Sequence, residues 1–97
     1  MHFRLMNDYS LEWPFWDEDG LCEEGTPSLS PKLVTEVLAW ADDFNDHYGI
    51  DAGWPSEAAA RSHERQGYRL LQLVERELQA EDDVVLGYWE TNTRKGL

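Results

Sequence analysis

Ser30-Pro31-Lys32-Leu33-Val34-Thr35-Glu36-Val37-Leu38-Ala39-Trp40-Ala41-Asp42-Asp43-Phe44-Asn45-Asp46-His47-Tyr48-Gly49 is the stretch that decides the fold. Ser30 can offer a side-chain oxygen to the orphaned amides of a helix start, and Pro31 suits the first helical position, where its missing N–H costs nothing. At about 100° per residue, Leu33, Val37, Trp40, Ala41, Phe44 and Tyr48 fall on one side, widened by Val34 and Leu38. Thr35, Glu36, Asp42, Asp43 and Asp46 fall on the other, and Gly49 offers a stop. The spacing predicts an amphipathic helix with an acidic outer face.

Downstream, Ile50 to Pro55 reads as a connector, because a proline at 55 disfavours helix at Trp54. Ser56 can cap a second helix, with Glu57 favourably placed in its first turn. Ala60, Gly67, Leu71, Val74 and Leu78 line one face of it, flanked by His63 and Leu70, while Arg61, Arg65, Arg69 and Arg76 gather opposite. Gly67 costs about 1 kcal/mol against Ala in mid-helix, which points to a close helix contact. Asp83 to Glu90 then alternates as a strand, with Val84, Leu86 and Tyr88 facing one way and Val85, Gly87 and Trp89 the other. Upstream, residues 2–6 alternate likewise, with Phe3 and Leu5 on one face. Asn7 to Ser30 shows neither period and reads as a long loop, pinned by Tyr9, Leu11, Trp13, Phe15 and Trp16 and ordered at least as far as Trp16.

The expected fold class is α+β, a small single domain ordered strand, long loop, helix, helix, strand. Two amphipathic helices would pack on a small two-stranded sheet. Residues 1–90 form the domain, and 91–97 are expected to fray. Two strands leave open edges, so a monomer and an edge-paired homodimer both fit.

The chain has 97 residues, 41% of them apolar and 12% aromatic, which opposes disorder despite a net charge of −12. From Leu5 to Ala60 there are thirteen acids and one base, Lys32, so this stretch carries the whole net charge. The rest balances at seven acids and seven bases. Such a field disfavours nucleic-acid phosphates and anionic membranes, and would steer a basic protein. Solubility alone is the plainer use of the same charge. No run is apolar enough to span a membrane, and no signal peptide is visible. One cysteine, Cys22, cannot form an internal disulfide, so a reducing cytoplasm is the expected location.

The tryptophan-rich segment Trp13-Pro14-Phe15-Trp16-Asp17-Glu18-Asp19-Gly20 is the most unusual. Its rings could anchor a partner, or fold back as the lid of a small core. Read as a calcium loop from Asp17, it has Leu21 and Ser28 where oxygen ligands are required, so the match fails. His47 and His63 edge the two helix faces without metal-ligand spacing. Cys22 lies beside Glu23 and Glu24, whose charge opposes a thiolate. No nucleophile, phosphate or dinucleotide motif occurs, and neither an enzyme nor a cofactor is implied.

Asp8-Tyr9, Trp13-Pro14-Phe15-Trp16-Asp17, Leu29-Ser30-Pro31-Lys32-Leu33, Trp40, Phe44 and Gly53-Trp54 give the chain its resemblance to a group of small, acidic, uncharacterised bacterial proteins. The resemblance spans roughly residues 1–80, with Trp-Pro-aromatic/Leu-Trp-Asp as its most specific part. It implies a bacterial cytoplasmic protein and carries over no catalytic residue.

The reading that follows is a non-enzymatic, acidic protein-interaction domain, in concrete form an immunity or inhibitor protein that blocks a basic partner. Trp13, Phe15, Trp16, Asp17, Asp19, Glu23, Glu24, Asp42, Asp43 and Asp46 are the expected partner-binding residues, with the thirteen acids forming one continuous surface. The alternative is a small-ligand or metal-binding module with an aromatic-lined pocket. A deep pocket lined by Trp13, Trp16, Trp40 or Trp54 with one desolvated carboxylate would favour the alternative, and a flat acidic face the first reading.

Overall fold

The computed structural model describes residues 1–94. Six elements follow in order: β1 (His2–Leu5), β2 (Phe15–Asp17), β3 (Gly20–Leu21), α1 (Pro31–His47), α2 (Glu57–Glu77) and β4 (Asp83–Leu86). Both helices start where the sequence places them. Ser30 accepts from the Leu33 amide and Ser56 from the Ala59 amide, and Pro31 opens α1.

The two helices pack on a four-stranded mixed sheet of order β3-β2-β1-β4. β1 runs antiparallel to β2 and parallel to β4, with Phe3 opposite Val84 and Leu5 opposite both Phe15 and Leu86. Two of these strands lie inside the segment expected to be loop. With three and two residues, β2 and β3 are too short for alternation to show against an aromatic background. Their turn is closed locally. Asp17 Oδ1 accepts from the Asp19 amide, and Gly20 takes φ +122°, which an L side chain rarely adopts. β4 stops at Leu86 rather than Glu90, because the Gly87 amide makes the last bond to β1, at the Leu5 carbonyl.

Phe3, Leu5, Trp13, Phe15, Leu33, Val37, Trp40, Leu70, Val74 and Val84 form the main core, and Phe44, Tyr48 and Trp54 a second one. On α2 the buried residues are His63, Gly67, Leu70 and Val74, with Leu71 and Leu78 only half-buried. The buried face is thus turned toward His63 and Leu70 relative to the expectation. Gly67 is the pivot: a Cβ there would stand 2.9 Å from the Trp40 ring, so only glycine lets the helices come this close. Of residues 91–97, expected to fray, Asn92 accepts from the Trp54 amide and Arg94 donates to the Trp54 carbonyl. Residues 95–97 lie outside the described residues.

Candidate functional site

The hairpin sorts the aromatic segment onto two faces. Trp13 and Phe15 are buried with rings 5.1 Å apart, and the Trp13 indole donates to the Thr26 carbonyl at 2.8 Å. They form the lid of the core. Trp16, one residue on, points to the opposite face, is half-buried, and donates its indole N–H to the Met6 carbonyl at 3.0 Å.

The acids form two groups. α1 has 17 residues and is therefore about 25 Å long at about 1.5 Å per residue. Asp42 lies twelve residues beyond the Ser30 cap, about 18 Å along the axis. Asp42, Asp43 and Asp46 thus sit at the far end from the start of α1, which is held to the end of α2 by Glu77 bonds to Ser30 at 2.6 and 2.7 Å. Asn45 ties the 8–12 turn to that far end, adding Asp8 and Glu12. The second group surrounds the hairpin turn. Glu18 accepts from the His2 amide at 2.8 Å, Asp83 pairs with His2, and Asp82 holds the Met1 amine at 3.0 Å. Asp17 and Asp19 make the turn itself, and Glu23 and Glu24 are exposed just past β3. The acids expected to form one continuous surface are spread along α1 over about 18 Å, with Glu36 lying between Ser30 and Asp42. Among the described residues, Asp17, Asp19, Glu23, Glu24, Asp42 and Asp46 have no cation within 4.0 Å, whereas Glu36, Asp43 and Glu57 pair with Arg69, His47 and Arg61.

The helices cover one face of the sheet and leave the other open. Trp16 lies opposite both Arg4 and Leu21, and Arg4 opposite Val85, so Leu21, Trp16, Arg4 and Val85 form one row across four strands. Beside this row runs a groove of about 440 Å³, bordered by Asp17, Glu18 and Asp83.

At the other end, Asn7, His63 and Glu90 form a buried polar centre that sequence reasoning missed as a unit. Its one signal was parity, since Glu90 continues the face of Val84, Leu86 and Tyr88. Glu90 accepts from Asn7 Nδ2 at 3.0 Å and from the Trp89 amide at 2.9 Å. Burial pushes its pKa up, and these hydrogen bonds oppose the shift. His63 Nε2 lies 3.2 Å from the Trp40 carbonyl, which can only accept, so that nitrogen carries the proton and Nδ1 accepts from the Tyr88 hydroxyl at 3.1 Å. Burial holds the His63 pKa below its ordinary value. The ring stacks on Trp40 at 4.6 Å and meets Trp54 at 4.5 Å. These titratable groups are enclosed and spent on internal bonds.

Cys22 is buried, and its thiol is pushed up to about 11, first by burial and then by Asp17 rather than by its sequence neighbours. His47 is exposed on Asp43, away from His63. Among the described residues, no group of three or more His, Cys, Asp or Glu is arranged for a metal ion, and no helix is long and apolar enough to cross a membrane.

The chain belongs to the family described as Serratia CdiI immunity protein-like, whose model matches residues 1–90. It is therefore a bacterial immunity-type protein, of a class that is in general non-enzymatic and has a protein toxin as its partner. No curated relative matches the chain.

Proposed function

We propose that the chain is a non-enzymatic inhibitor that neutralises a basic protein toxin in the cytoplasm by occupying its cationic surface. The observation that supports this is the set of exposed carboxylates without internal cations, in a member of an immunity family. Leaving like charges unpaired is unfavourable for the free protein and is offset when a partner supplies the cations. The two acidic groups would draw the toxin in, and the contact would be completed by apolar surface between them.

The alternative of a tryptophan-lined ligand pocket is less well supported: Trp13, Trp40 and Trp54 are core residues, and Trp16 borders the groove of about 440 Å³ on the open sheet face, where Glu18 and Asp83 are exposed rather than desolvated. The cavity beside Tyr88, Glu90 and Thr91, about 270 Å³, is lined by no tryptophan.

The test is capture from the native cell on immobilised full-length chain, with elution by salt. A basic protein whose toxicity is suppressed by co-expression of the chain is the expected result. A partner whose binding ignores salt, or a captured toxin with an acidic binding surface, would overturn the reading.

A further inference from the structure

We propose that the open face of the sheet, along Leu21, Trp16, Arg4 and Val85, is where the basic protein partner docks. This rests on the immunity reading and assigns its contact surface. In an α+β domain each apolar sheet face is normally covered by a second layer. Here the helices cover only one, and the other exposes 49% of Leu21 and 52% of Val85 on either side of Trp16. Arg4 lies within this row with its stem across Gly87, where a Cβ would come within 2.9 Å of Arg4 Cδ. Among the described residues Arg4 has no ion-pair partner, so its guanidinium is available to one acceptor on the docked protein.

Charge decides the occupant. The face is rimmed by Asp17, Glu18 and Asp83, with Asp19 in the hairpin turn beside them. A second copy of a chain with net charge −12 would bring the same acids against themselves. A protein with an apolar centre and a cationic border satisfies both parts of the surface. Size points the same way. Four strands about 4.8 Å apart and two to four residues long offer roughly 200 Å², well below the roughly 800 Å² that each partner of a stable complex buries. The contact must therefore spread onto the rim, where the carboxylates are.

The test uses a defined probe, a capped peptide of alternating Lys and Leu, which is cationic and presents one apolar face when extended. It is titrated into the isotope-labelled full chain at about 0.01 M salt, where screening is weak. Amide shifts should concentrate on residues 2–5, 16–21 and 83–87. The double variant Leu21→Lys/Val85→Lys should bind about tenfold more weakly or worse. Ile50→Lys/Tyr68→Lys makes the same charge change at exposed apolar positions away from this face and should cost less than about threefold. Equal losses in the two pairs, or shifts centred on residues 42–46, would overturn the assignment. The same pairs are then compared against the captured toxin. Salt-sensitive capture that ignores Leu21→Lys/Val85→Lys moves the docking face and leaves the immunity reading standing. Failed capture removes that reading while the peptide still maps the face.

Discussion

The six-membered ring of Trp40 on α1 rests directly on the bare Cα of Gly67 on α2, with a Cβ at that position falling 2.9 Å from the ring. The ring cannot yield. Its indole N–H donates to the His63 carbonyl at 2.9 Å, and its other contacts include the stacked His63 imidazole. Gly67→Ala therefore sets two effects against each other. Alanine gains about 1 kcal/mol of helix propensity, and overpacking costs about 1–3 kcal/mol. With a pinned ring the second wins, and Gly67→Ala should lower stability in urea unfolding. Trp40→Ala in the same assay should cost about 3–5 kcal/mol. Gly67→Ala in the Trp40→Ala background should turn stabilising, because only propensity remains.

Stability should depend on pH through two opposed groups. Glu90 holds its proton to higher pH folded than unfolded, so stability falls as pH rises from about 4.3, the unfolded value, through the folded one. His63 gives up its proton at lower pH folded than unfolded, so stability gained from it rises toward about pH 6.5 and then levels. Glu90→Gln isolates the second. Asn7 Oδ1 is buried without a hydrogen-bond partner, so an amide flip lets it accept from the new Gln amide while the Gln oxygen keeps the Trp89 amide. Urea unfolding across about pH 4–8 should show Glu90→Gln unfolding no more easily than wild type at neutral pH and lacking the falling component.

Gly53 should be irreplaceable for a different reason. Its φ is +74°, and a Cβ would lie 2.1 Å from the Asn92 carbonyl oxygen. That oxygen accepts from the Trp54 amide at 2.8 Å, and the Arg94 amide donates to the Trp54 carbonyl at 2.7 Å. Gly53→Ala combines left-handed strain of about 1–2 kcal/mol with displacement of residues 92–94. Hydrogen exchange should accelerate at the Trp54 and Arg94 amides well before the rest of the domain opens.

The acidic groups should differ in their effect on association. Asp19→Asn/Glu23→Gln/Glu24→Gln should slow toxin binding more than Asp42→Asn/Asp43→Asn/Asp46→Asn, because the first set lies at the hairpin turn and just past β3, the edge strand of the sheet. Both should leave stability within about 0.5 kcal/mol. The on-rate should fall as the screening length drops from about 30 Å at 0.01 M to about 10 Å at 0.1 M salt, and the first triple variant should show the shallower dependence.

What could be read from the chain was whatever repeats over many residues. α1 and α2 announce themselves through caps at Ser30 and Ser56 and faces that recur for four turns or more. Gly67 could be read as a contact because a glycine there is costly unless something approaches. The hairpin was hidden because two or three residues cannot display a period, and Asp19-Gly20, its one turn signal, was weighed as a cation loop. The Asn7, His63 and Glu90 centre was hidden because its members meet only in three dimensions. The spread of the acids could not be read at all: Asp42 follows the Ser30 cap by twelve residues, and only the helix turns that count into about 18 Å of length.

β1 and β4 pair in parallel although His2 and Asp83 are 81 residues apart in sequence. During synthesis at roughly 5–20 residues per second, β1 waits about 4–16 s for its second neighbour. The hairpin can cover one side of β1 early, and α1 and α2 can pair across a short connection. The other side keeps bare amides and carbonyls, the kind of edge that invites pairing with a stranger. The strand made first is thus the last to be fully satisfied, and the nascent chain is most exposed to misassembly in the interval before residue 86 is free.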